Sequence, residues 1–518
     1  MGFKIFLCAC VLAFYAVALA QPITLVSTDL GRHLKNGEIF LHTFSVPQGN
    51  YYSYTNGDFP FVNHHWGTGV LFYLIERAAG FAGMHIFFIA VSVATLGIFL
   101  SVAVAQGNFT GALLAAIIAV PLAASRAEVR PEALSYLLAG TFFWAIWNYL
   151  EGRISRRWLW ALPGLMALWT NLHIYFFFGF GLIGIGVLEA AYRWLIQKRQ
   201  DYRERLQALA LVGVASGIAA LLNPAGIRGV LYPFKIFNNY GYRLLENQSV
   251  WFLDRVIGYP PSLYFKILFI ALAVACVFYL ARVVQKKETL SPFLILLALG
   301  MSFLGWTAVR NFALFGMFAI TLIAIFLRSM RNKKQVSAHC YAGILFAAGC
   351  LFVSLFVINP SFWDRYKDGG WGIGLRQSAG SHGFSGAADF FKREGLRGPI
   401  FNDYDIGGYL IYYLFPQERV FVDNRPEAYP ASFFQDVYIP MQEREDIWQE
   451  ELARFNFNAI IFYWHDLTPW AQTFLSHRVA DNAWAPVYAD DSVIIFVRRG
   501  SVNQSVIDKH EIPHSMFP

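Results

Sequence analysis

The feature that most constrains this chain is a succession of apolar segments long enough to cross a lipid bilayer. A helix of about 20 apolar residues spans the hydrocarbon core of a bilayer, and runs of that order recur through the first 358 residues. A shorter run, Trp66–Ala79, contains Glu76 and Arg77, and we interpret it as a helix on the outer membrane surface. We predict about eleven spans, roughly at 3–20, 84–106, 109–125, 131–150, 157–171, 173–196, 206–222, 262–282, 290–308, 310–328 and 339–357.

The positions of the basic residues test this predicted arrangement of membrane spans. The chain is 56% hydrophobic and only 14% charged, which is typical of a membrane protein. With the N-terminus inside, the basic clusters of the short loops all face the cytoplasm, as the positive-inside rule expects. Residues 1–20 also resemble a cleavable signal peptide, and either interpretation leaves residue 21 outside. The cytoplasmic clusters lie at 153–157, 198–205, 282–287 and 328–334.

A change in charge balance predicts a domain boundary near Asn359–Pro360. Residues 1–358 hold 27 Lys and Arg against 13 Asp and Glu, whereas residues 359–518 hold 14 against 21. The basic excess therefore belongs to the membrane half and is no signal for nucleic-acid binding. We predict a transmembrane domain over 1–358, with a first outer loop at 21–83, and an extracytoplasmic α/β domain over 359–518.

The predicted α/β domain begins after a glycine-rich linker, Asp368–Gly386. Short β-rich apolar runs predict its strands, and helical spacing of apolar residues predicts its helices. The predicted strands are Pro399–Asn402, Arg419–Val422, Ala459–Tyr463 and Val493–Arg498, and the predicted helices are Gly383–Gly395, Asp405–Leu414, Glu443–Phe455 and Thr468–His477.

The stretch STDLGRHLKNGEIFLH, Ser27–His42, follows the first apolar segment directly. Its spacing predicts an amphipathic helix at the outer interface, with Asp29 and His33 on one polar side. One interpretation is an interfacial anchor with solvated charges. The other is a functional site, because a carboxylate held at the membrane junction is costly unless it has a partner or a task.

Other polar residues fall in predicted outer turns. Arg130 and Arg310 could hold an anion at headgroup level, although surface ion pairing or snorkelling explains each one singly. His64 and His65, in PFVNHHW, are a weak candidate for a metal pair, and interfacial anchoring explains them better. Candidates for orienting a substrate are Glu132, His173, Glu246, His64 and His65.

Several kinds of site are excluded. The chain has no P-loop, no H-E-x-x-H zinc motif and no G-x-S-x-G nucleophile elbow. Its five cysteines all lie in apolar segments, so neither a disulfide framework nor a cysteine metal site is implied.

The motifs TDLGRHLKNGE, NHHW, VRPE, NLH, LNPAG and VFVDNRPEAY together resemble the GT-C membrane glycosyltransferases. That superfamily includes oligosaccharyltransferase catalytic subunits, protein mannosyltransferases and lipid A aminoarabinose transferases, and the resemblance is to an uncharacterised bacterial branch with a periplasmic α/β tail. The chain lacks the WWD-type motif of oligosaccharyltransferases and a D-x-D in the outer loop that follows Asp29. The resemblance therefore does not extend to N-glycan transfer or to obligatory metal use.

The resemblance implies an inverting glycosyltransferase of the inner membrane that serves the cell envelope. It would move a sugar from a polyprenyl-phosphate donor, such as an undecaprenyl one, to an extracytoplasmic lipid, glycan or protein acceptor. Asp29 would be the catalytic base, and Arg130, Arg310 and His33 would hold the donor phosphate. Metal use is left open between none and Mg²⁺ or Mn²⁺. Two alternatives remain: a non-catalytic scaffold that displays the α/β domain, and a transporter or flippase of a lipid-linked sugar.

The segment VFVDNRPEAY places three charged residues directly after a predicted strand. Asp423, Arg425 and Glu427 lie within five positions of one another. One hypothesis is that the loop 423–429 helps to seat the acceptor, and the other is a structural salt-bridge turn.

Overall fold

The computed structural model describes residues 2–26, 28–237, 239–330, 372–376 and 386–517. The fold is mostly helical with one small sheet. The longer helices are Gly2–Leu19, Leu30–Thr43, Trp66–Gln106, Phe109–Ala124, Glu132–Leu150, Ala161–Leu172, Phe177–Leu195, Asp201–Ala220, Pro261–Val284, Pro292–Thr307 and Phe312–Phe326, followed by Gly386–Arg393, Gly407–Leu414, Glu445–Phe455 and Pro469–Ala480. The shorter α-helices are Ile227–Leu231, Val250–Val256, Pro440–Glu443 and Gln504–His510.

Ten of the eleven predicted spans coincide with helices, and the eleventh, 339–357, lies outside the described residues. The predicted boundary at Asn359–Pro360 and most of the linker Asp368–Gly386 also lie outside them. Within the described ranges, five helices are long and apolar enough to cross a membrane, and two apolar helices are shorter. The five are Gly2–Leu19, Trp66–Gln106, Ile174–Leu195, Pro261–Val284 and Val309–Phe326.

The predicted surface helix Trp66–Ala79 is helical, and it continues through a kink into the predicted span that follows. The kink lies at Gly80, whose φ of 64° and ψ of −172° interrupt the helical geometry of Trp66–Gln106. Glycine adopts this positive φ at little cost because it has no Cβ.

The chain divides into two compact units. The first draws on Met1–Pro22, His85–Pro233 and Leu244–Ile373. The helix Phe312–Phe326 is buried along its whole length and packs against Phe109–Ala124 and Pro261–Val284. A helix that is apolar on every side needs neighbours all round, so this helix forms the core of the first unit.

The second unit combines Ile23–Met84 and Phe234–Arg243 with Gly374–Pro518. It contains a sheet of four strands, Ile400–Asn402 (β1), Ala459–Tyr463 (β2), Trp484–Ala489 (β3) and Val493–Arg498 (β4). Their order in the sheet is β1-β2-β4-β3. Strand β1 pairs in parallel with β2, and the remaining two pairings are antiparallel.

Three of the four predicted strands and all four predicted helices of this region are present. The predicted strand Arg419–Val422 is wrong, because Val420 forms only an isolated bridge with Ser53. The side chain of Asn402 accepts a hydrogen bond from the Phe421 amide at 2.9 Å and donates one to the Val422 carbonyl at 2.8 Å. The Asn402 side chain thus makes the hydrogen bonds that a neighbouring strand would otherwise make. The fourth strand of the sheet is instead Trp484–Ala489, which was not predicted.

Close backbone approaches position the helix Leu30–Thr43. A Cβ on Gly37 would lie 2.2 Å from the carbonyl oxygen of Gly69. A Cβ on Gly31 would lie 2.6 Å from the carbonyl oxygen of Gly408. Glycine at these positions lets one helix approach its two neighbours more closely than any side chain would allow.

Candidate functional site

Asp29 immediately precedes the helix Leu30–Thr43 and contacts Arg32 and His33 in its first turn. Arg32 Nη2 lies 3.3 Å and His33 Nε2 lies 3.2 Å from Asp29 Oδ2. Residues three and four positions apart share one face of a helix, so the sequence spacing accounts for both contacts. The Asp29 side chain retains 22% of its exposure, whereas Arg32 and His33 are buried.

Arg32, His33 and Asn36 of this helix are therefore buried while Asp29 is partly exposed, which differs from the solvated charges of the anchor interpretation. Asn36, on the same side, accepts a hydrogen bond of 2.6 Å from the Tyr52 hydroxyl. Buried polar groups with partners hold a helix in one orientation. The interaction fixes the rotation of the helix and, with it, the place of Asp29.

His64 and His65 lie against this helix. The ring centroids of His33 and His65 are 5.2 Å apart, and those of His64 and His65 are 3.9 Å apart. His64 Nδ1 is within hydrogen-bond distance of the Val62 carbonyl oxygen, at 3.0 Å. In the described ranges, neither histidine belongs to a group of three or more potential metal ligands.

In the first unit, three arginines and two glutamates form an ion-pair cluster. Arg126 donates to Glu132 at 2.6 Å and to Glu246 at 2.8 Å. Glu246 also pairs with Arg130 at 3.1 Å and with Arg310 at 3.5 Å. The structure therefore brings together four of the predicted residues, Arg130, Arg310, Glu132 and Glu246, around Arg126.

The arginines dominate the electrostatics of this cluster. Although burial alone would raise the pKa of Glu246, Arg126, Arg310 and Arg130 hold it well below its usual range. Burial would lower the pKa of Arg126, but Glu132 and Glu246 raise it well above its ordinary value. Glu246 and Arg126 are thus charged at neutral pH. A phosphate would meet cations whose charge is already partly balanced by carboxylates.

His173 is buried in the same unit, and its Nδ1 is within hydrogen-bond distance of Ser135. Its Nδ1 lies 2.8 Å from Ser135 Oγ, which also accepts from Trp169 Nε1 at 2.8 Å. The ring of His173 contacts Tyr175, over which the Arg310 guanidinium lies 5.6 Å from the ring centroid. His173 is thereby linked through Tyr175 to the arginine cluster.

The loop 423–429 contains a closed salt bridge. Arg425 donates to both carboxylate oxygens of Asp423, at 2.7 and 2.6 Å, and both residues are buried. Arg425 also donates to Asn50 Oδ1 at 2.9 Å, and the Tyr429 hydroxyl contacts Asp423 Oδ2 at 3.1 Å. Asp423 and Arg425 thus match the structural-turn interpretation, because their charges satisfy each other.

An acidic group that the sequence analysis did not single out lies beyond β1 and β2. One carboxylate oxygen from each of Asp403, Asp405 and Asp466 lies within 4.8 Å of the other two, a spacing that a metal ion could bridge. Burial, reinforced by Asp405 and Asp466, raises the pKa of Asp403 well above its usual range, and burial raises that of Asp466. The only sequence signal was an aspartate pair, D-x-D, at the end of a predicted strand.

Arg126 and Arg32 are the other residues that the sequence analysis did not assign. Arg126 stands four positions before Arg130 in the same charged loop. Arg32 stands three positions after Asp29. Helical spacing could have found Arg32, whereas the central position of Arg126 depends on Glu246, which is 120 positions away in the chain.

Comparison with known proteins identifies the fold. No protein-family model and no curated protein sequence matches the chain. Among solved structures, it is similar to the oligosaccharyltransferase AglB of Archaeoglobus fulgidus in complex with an inhibitory peptide and a dolichol-phosphate. That match has a TM-score of 0.60 and 11% identity, and it covers 96% of this chain and 75% of the archaeal one.

Two further structures support this result. ArnT from Cupriavidus metallidurans bound to undecaprenyl phosphate matches with a TM-score of 0.52 at 12% identity, over 97% of this chain and 99% of ArnT. The Archaeoglobus fulgidus oligosaccharyltransferase in complex with Zn and sulfate matches with a TM-score of 0.52 at 12% identity, over 94% of this chain and 73% of that one. Together with the apolar helices, these neighbours indicate a multi-pass membrane protein. The chain has a GT-C-like fold, as its sequence motifs predicted, and at these identities the likeness shows the fold alone.

Proposed function

We propose that this protein is an inverting glycosyltransferase that moves a sugar from a polyprenyl-phosphate donor to an extracytoplasmic acceptor. The observation that carries the proposal is Asp29, held by Arg32 and His33 at the start of the helix Leu30–Thr43 in a GT-C-like fold. Neighbours with this fold bind dolichol-phosphate or undecaprenyl phosphate, which makes a lipid-linked donor the natural substrate class.

Asp29 is the general base in this proposal. Its carboxylate takes the proton of the acceptor nucleophile as that atom attacks the anomeric carbon, and the lipid phosphate leaves from the opposite face. One displacement of this kind inverts the anomeric centre. The contacts from Arg32 and His33 orient the carboxylate, so we assign His33 a positioning role beside its predicted part in phosphate binding.

Arg130 and Arg310 hold the departing phosphate in this proposal. Cations placed where negative charge develops lower the barrier of such a step. Glu132 and Glu246 orient the guanidinium groups through the ion pairs described above. His64, His65 and His173 remain predicted substrate-orienting residues.

The acceptor is a lipid, glycan or protein outside the cytoplasm. We further propose about eleven spans in the inner membrane of a bacterium, with residues 359–518 forming a periplasmic domain. The group Asp403, Asp405 and Asp466 is the candidate for a divalent cation such as Mg²⁺ or Mn²⁺.

The test is the substitution Asp29→Asn, which keeps the shape of the side chain and removes its basicity. We expect the transfer rate to fall roughly 10²–10⁴-fold, the usual contribution of a positioned base. Affinity for undecaprenyl phosphate should change little, because the carboxylate does not hold the phosphate. The measurement is the transfer of labelled sugar by purified protein, with binding measured in parallel. Undiminished transfer would reject Asp29 as the base and favour a scaffold or a transporter.

A further inference from the structure

Arg32 has hydrogen-bond donors that find no acceptor among the described residues. The residue is 3% exposed, and its Nη2 donates to Asp29. No residue in the described ranges accepts a hydrogen bond from its Nε or Nη1. A buried charged group whose donors have no acceptor has lost its hydration without gaining hydrogen bonds in exchange, which costs free energy. Such a group is typical of a site where a ligand supplies the missing acceptors.

Three segments of the second unit meet at the helix Leu30–Thr43, which carries this arginine. A Cβ on Gly408 would lie 3.5 Å from Asp29 Cα and 3.3 Å from Asn424 Nδ2, so the side chain of Asn424 lies beside Asp29. The contact between His33 and His65 brings the segment 63–65 to the same helix. The Arg425 guanidinium lies 4.8 Å from the Phe61 ring centroid, so the loops 60–65 and 423–429 also contact each other.

Each flanking loop also presents polar groups with unused capacity. Asn63 is 6% exposed, and neither its Oδ1 nor its Nδ2 has a partner among the described residues. Across the described ranges, Asn424 Oδ1 likewise has no donor, and no ion pair within 4.0 Å reaches the Glu427 carboxylate. Burial raises the pKa of Glu427, while the nearby charges of Arg32 and Arg425 lower it.

We propose that Arg32, Asn63, Asn424 and Glu427 form the subsite that binds a sugar ring of the substrate. A sugar offers neighbouring hydroxyl groups, each of which can donate and accept. Arg32 supplies donors, Glu427 supplies acceptors, and the two amides supply both. The inference rests on the proposed glycosyl transfer and adds the residues that recognise the sugar.

The loop 423–429 thereby has two parts. Asp423 and Arg425 close on each other and hold the loop in shape. Asn424 and Glu427 alternate with them along the chain and remain available to a ligand. Removal of Glu427 should therefore change recognition without opening the salt bridge.

The test compares binding of undecaprenyl phosphate with binding of undecaprenyl phosphate linked to glucose, galactose, mannose or a pentose. The wild-type protein should bind at least one of the sugar-linked probes more tightly than the bare lipid phosphate. In Glu427→Gln, the dissociation constant of that probe should rise roughly 10-fold or more, as expected for the loss of a charged hydrogen-bond acceptor. The value for bare undecaprenyl phosphate should stay within about two-fold.

Asn424→Ala provides a second variant in the same loop and should shift the probes in the same way. Glu443→Gln, an exposed glutamate of the same domain, is the matched control and should change neither value. Equal losses for bare and sugar-linked probes would overturn the proposal, and so would a wild-type protein that does not distinguish any of them. These binding measurements need no turnover. A transfer rate that rejects Asp29 as the base would therefore not decide whether the four residues bind a sugar.

Discussion

At the scale of single residues, the most demanding feature is the cluster of Arg126, Arg130, Arg310, Glu132 and Glu246. Buried ion pairs often add little net stability, because desolvation offsets the attraction between the charges. Removal of one member is costly, since it leaves an uncompensated charge. This asymmetry allows the structural role of the cluster to be separated from a role in phosphate binding.

Glu246→Gln tests that separation. If the arginines bind the donor phosphate, loss of the competing carboxylate should tighten binding of undecaprenyl phosphate several-fold, whereas Arg310→Ala should weaken it roughly 10-fold or more. Both variants should unfold at lower temperature than the wild type. Measured affinities that do not move in opposite directions would leave the cluster with a structural role only.

The same carboxylate gives a pH signature. The folded-state pKa of Glu246 lies below its unfolded value of about 4.3. Its contribution to stability is therefore fully present above that pH and is lost as the pH falls towards the folded-state pKa. The stability difference between wild type and Glu246→Gln should shrink on acidification, as thermal unfolding in detergent at several pH values would show.

The acidic group of Asp403, Asp405 and Asp466 should show the opposite pH dependence of stability. Because burial raises the folded-state pKa of Asp466 above its unfolded value of about 3.9, ionisation destabilises the fold as the pH rises. Without divalent cations at neutral pH, Asp466→Asn should therefore unfold at a higher temperature than the wild type, and the gain should vanish near pH 4. Asn keeps the oxygen that accepts from the Thr468 amide. If Mg²⁺ or Mn²⁺ fills the group, the added ion should stabilise the wild type and not the variant.

At the scale of elements, the position of Asp29 depends on how closely the helix Leu30–Thr43 approaches its neighbours. The contacts at Gly37 and Gly31 are between backbones, so they define a distance that side-chain rotation cannot adjust. The sheet shows a related effect, since β3 contains Pro486 and lies at the edge. Proline is tolerated in an edge strand because one side of that strand needs no ladder hydrogen bonds.

Gly37→Ala should therefore be strongly destabilising. Its Cβ would lie 2.2 Å from the Gly69 carbonyl oxygen, and overpacking of a close contact usually costs about 1–3 kcal/mol. Gly97→Ala is the matched control, because a Cβ there meets nothing within 4 Å. We expect a lower unfolding temperature and slower transfer for the first variant alone. Equal effects would show that the helices can separate without consequence.

At the scale of the whole molecule, the basic loops predict which parts of the chain face the cytoplasm. Arg203 lies in the predicted inner loop 198–205, and Glu443 lies in the predicted periplasmic domain, and both are exposed. Single cysteines at these two positions, in a background with the five native cysteines replaced, would report the two sides. A membrane-impermeant maleimide added to intact cells should label Glu443→Cys and leave Arg203→Cys unlabelled until permeabilisation. Labelling of Arg203→Cys in intact cells would invert the proposed topology.

The sequence alone determined the helical class, ten helix positions and the local geometry around Asp29. Each of these features depends on residues within one or two helical turns. The helix positions follow from the length of the apolar runs, and the contacts of Asp29 follow from the spacing of Asp29, Arg32 and His33. The motifs also predicted the GT-C-like fold correctly. The sheet shows that local composition does not always predict a strand. The segment Arg419–Val422 has the composition of a strand, yet its backbone hydrogen-bonds to the side chain of Asn402.

Only the tertiary structure decided which charges meet. Glu246 and Arg126 are far apart in the chain, as are Asp403 and Asp466, and no periodicity relates them. Tertiary packing also buried Arg32 and His33, which local pattern would leave equally well in solvent. The physical reason is that hydrophobic periodicity reports the face of a helix that leaves water, whereas the partner of a buried charge is chosen by long-range packing.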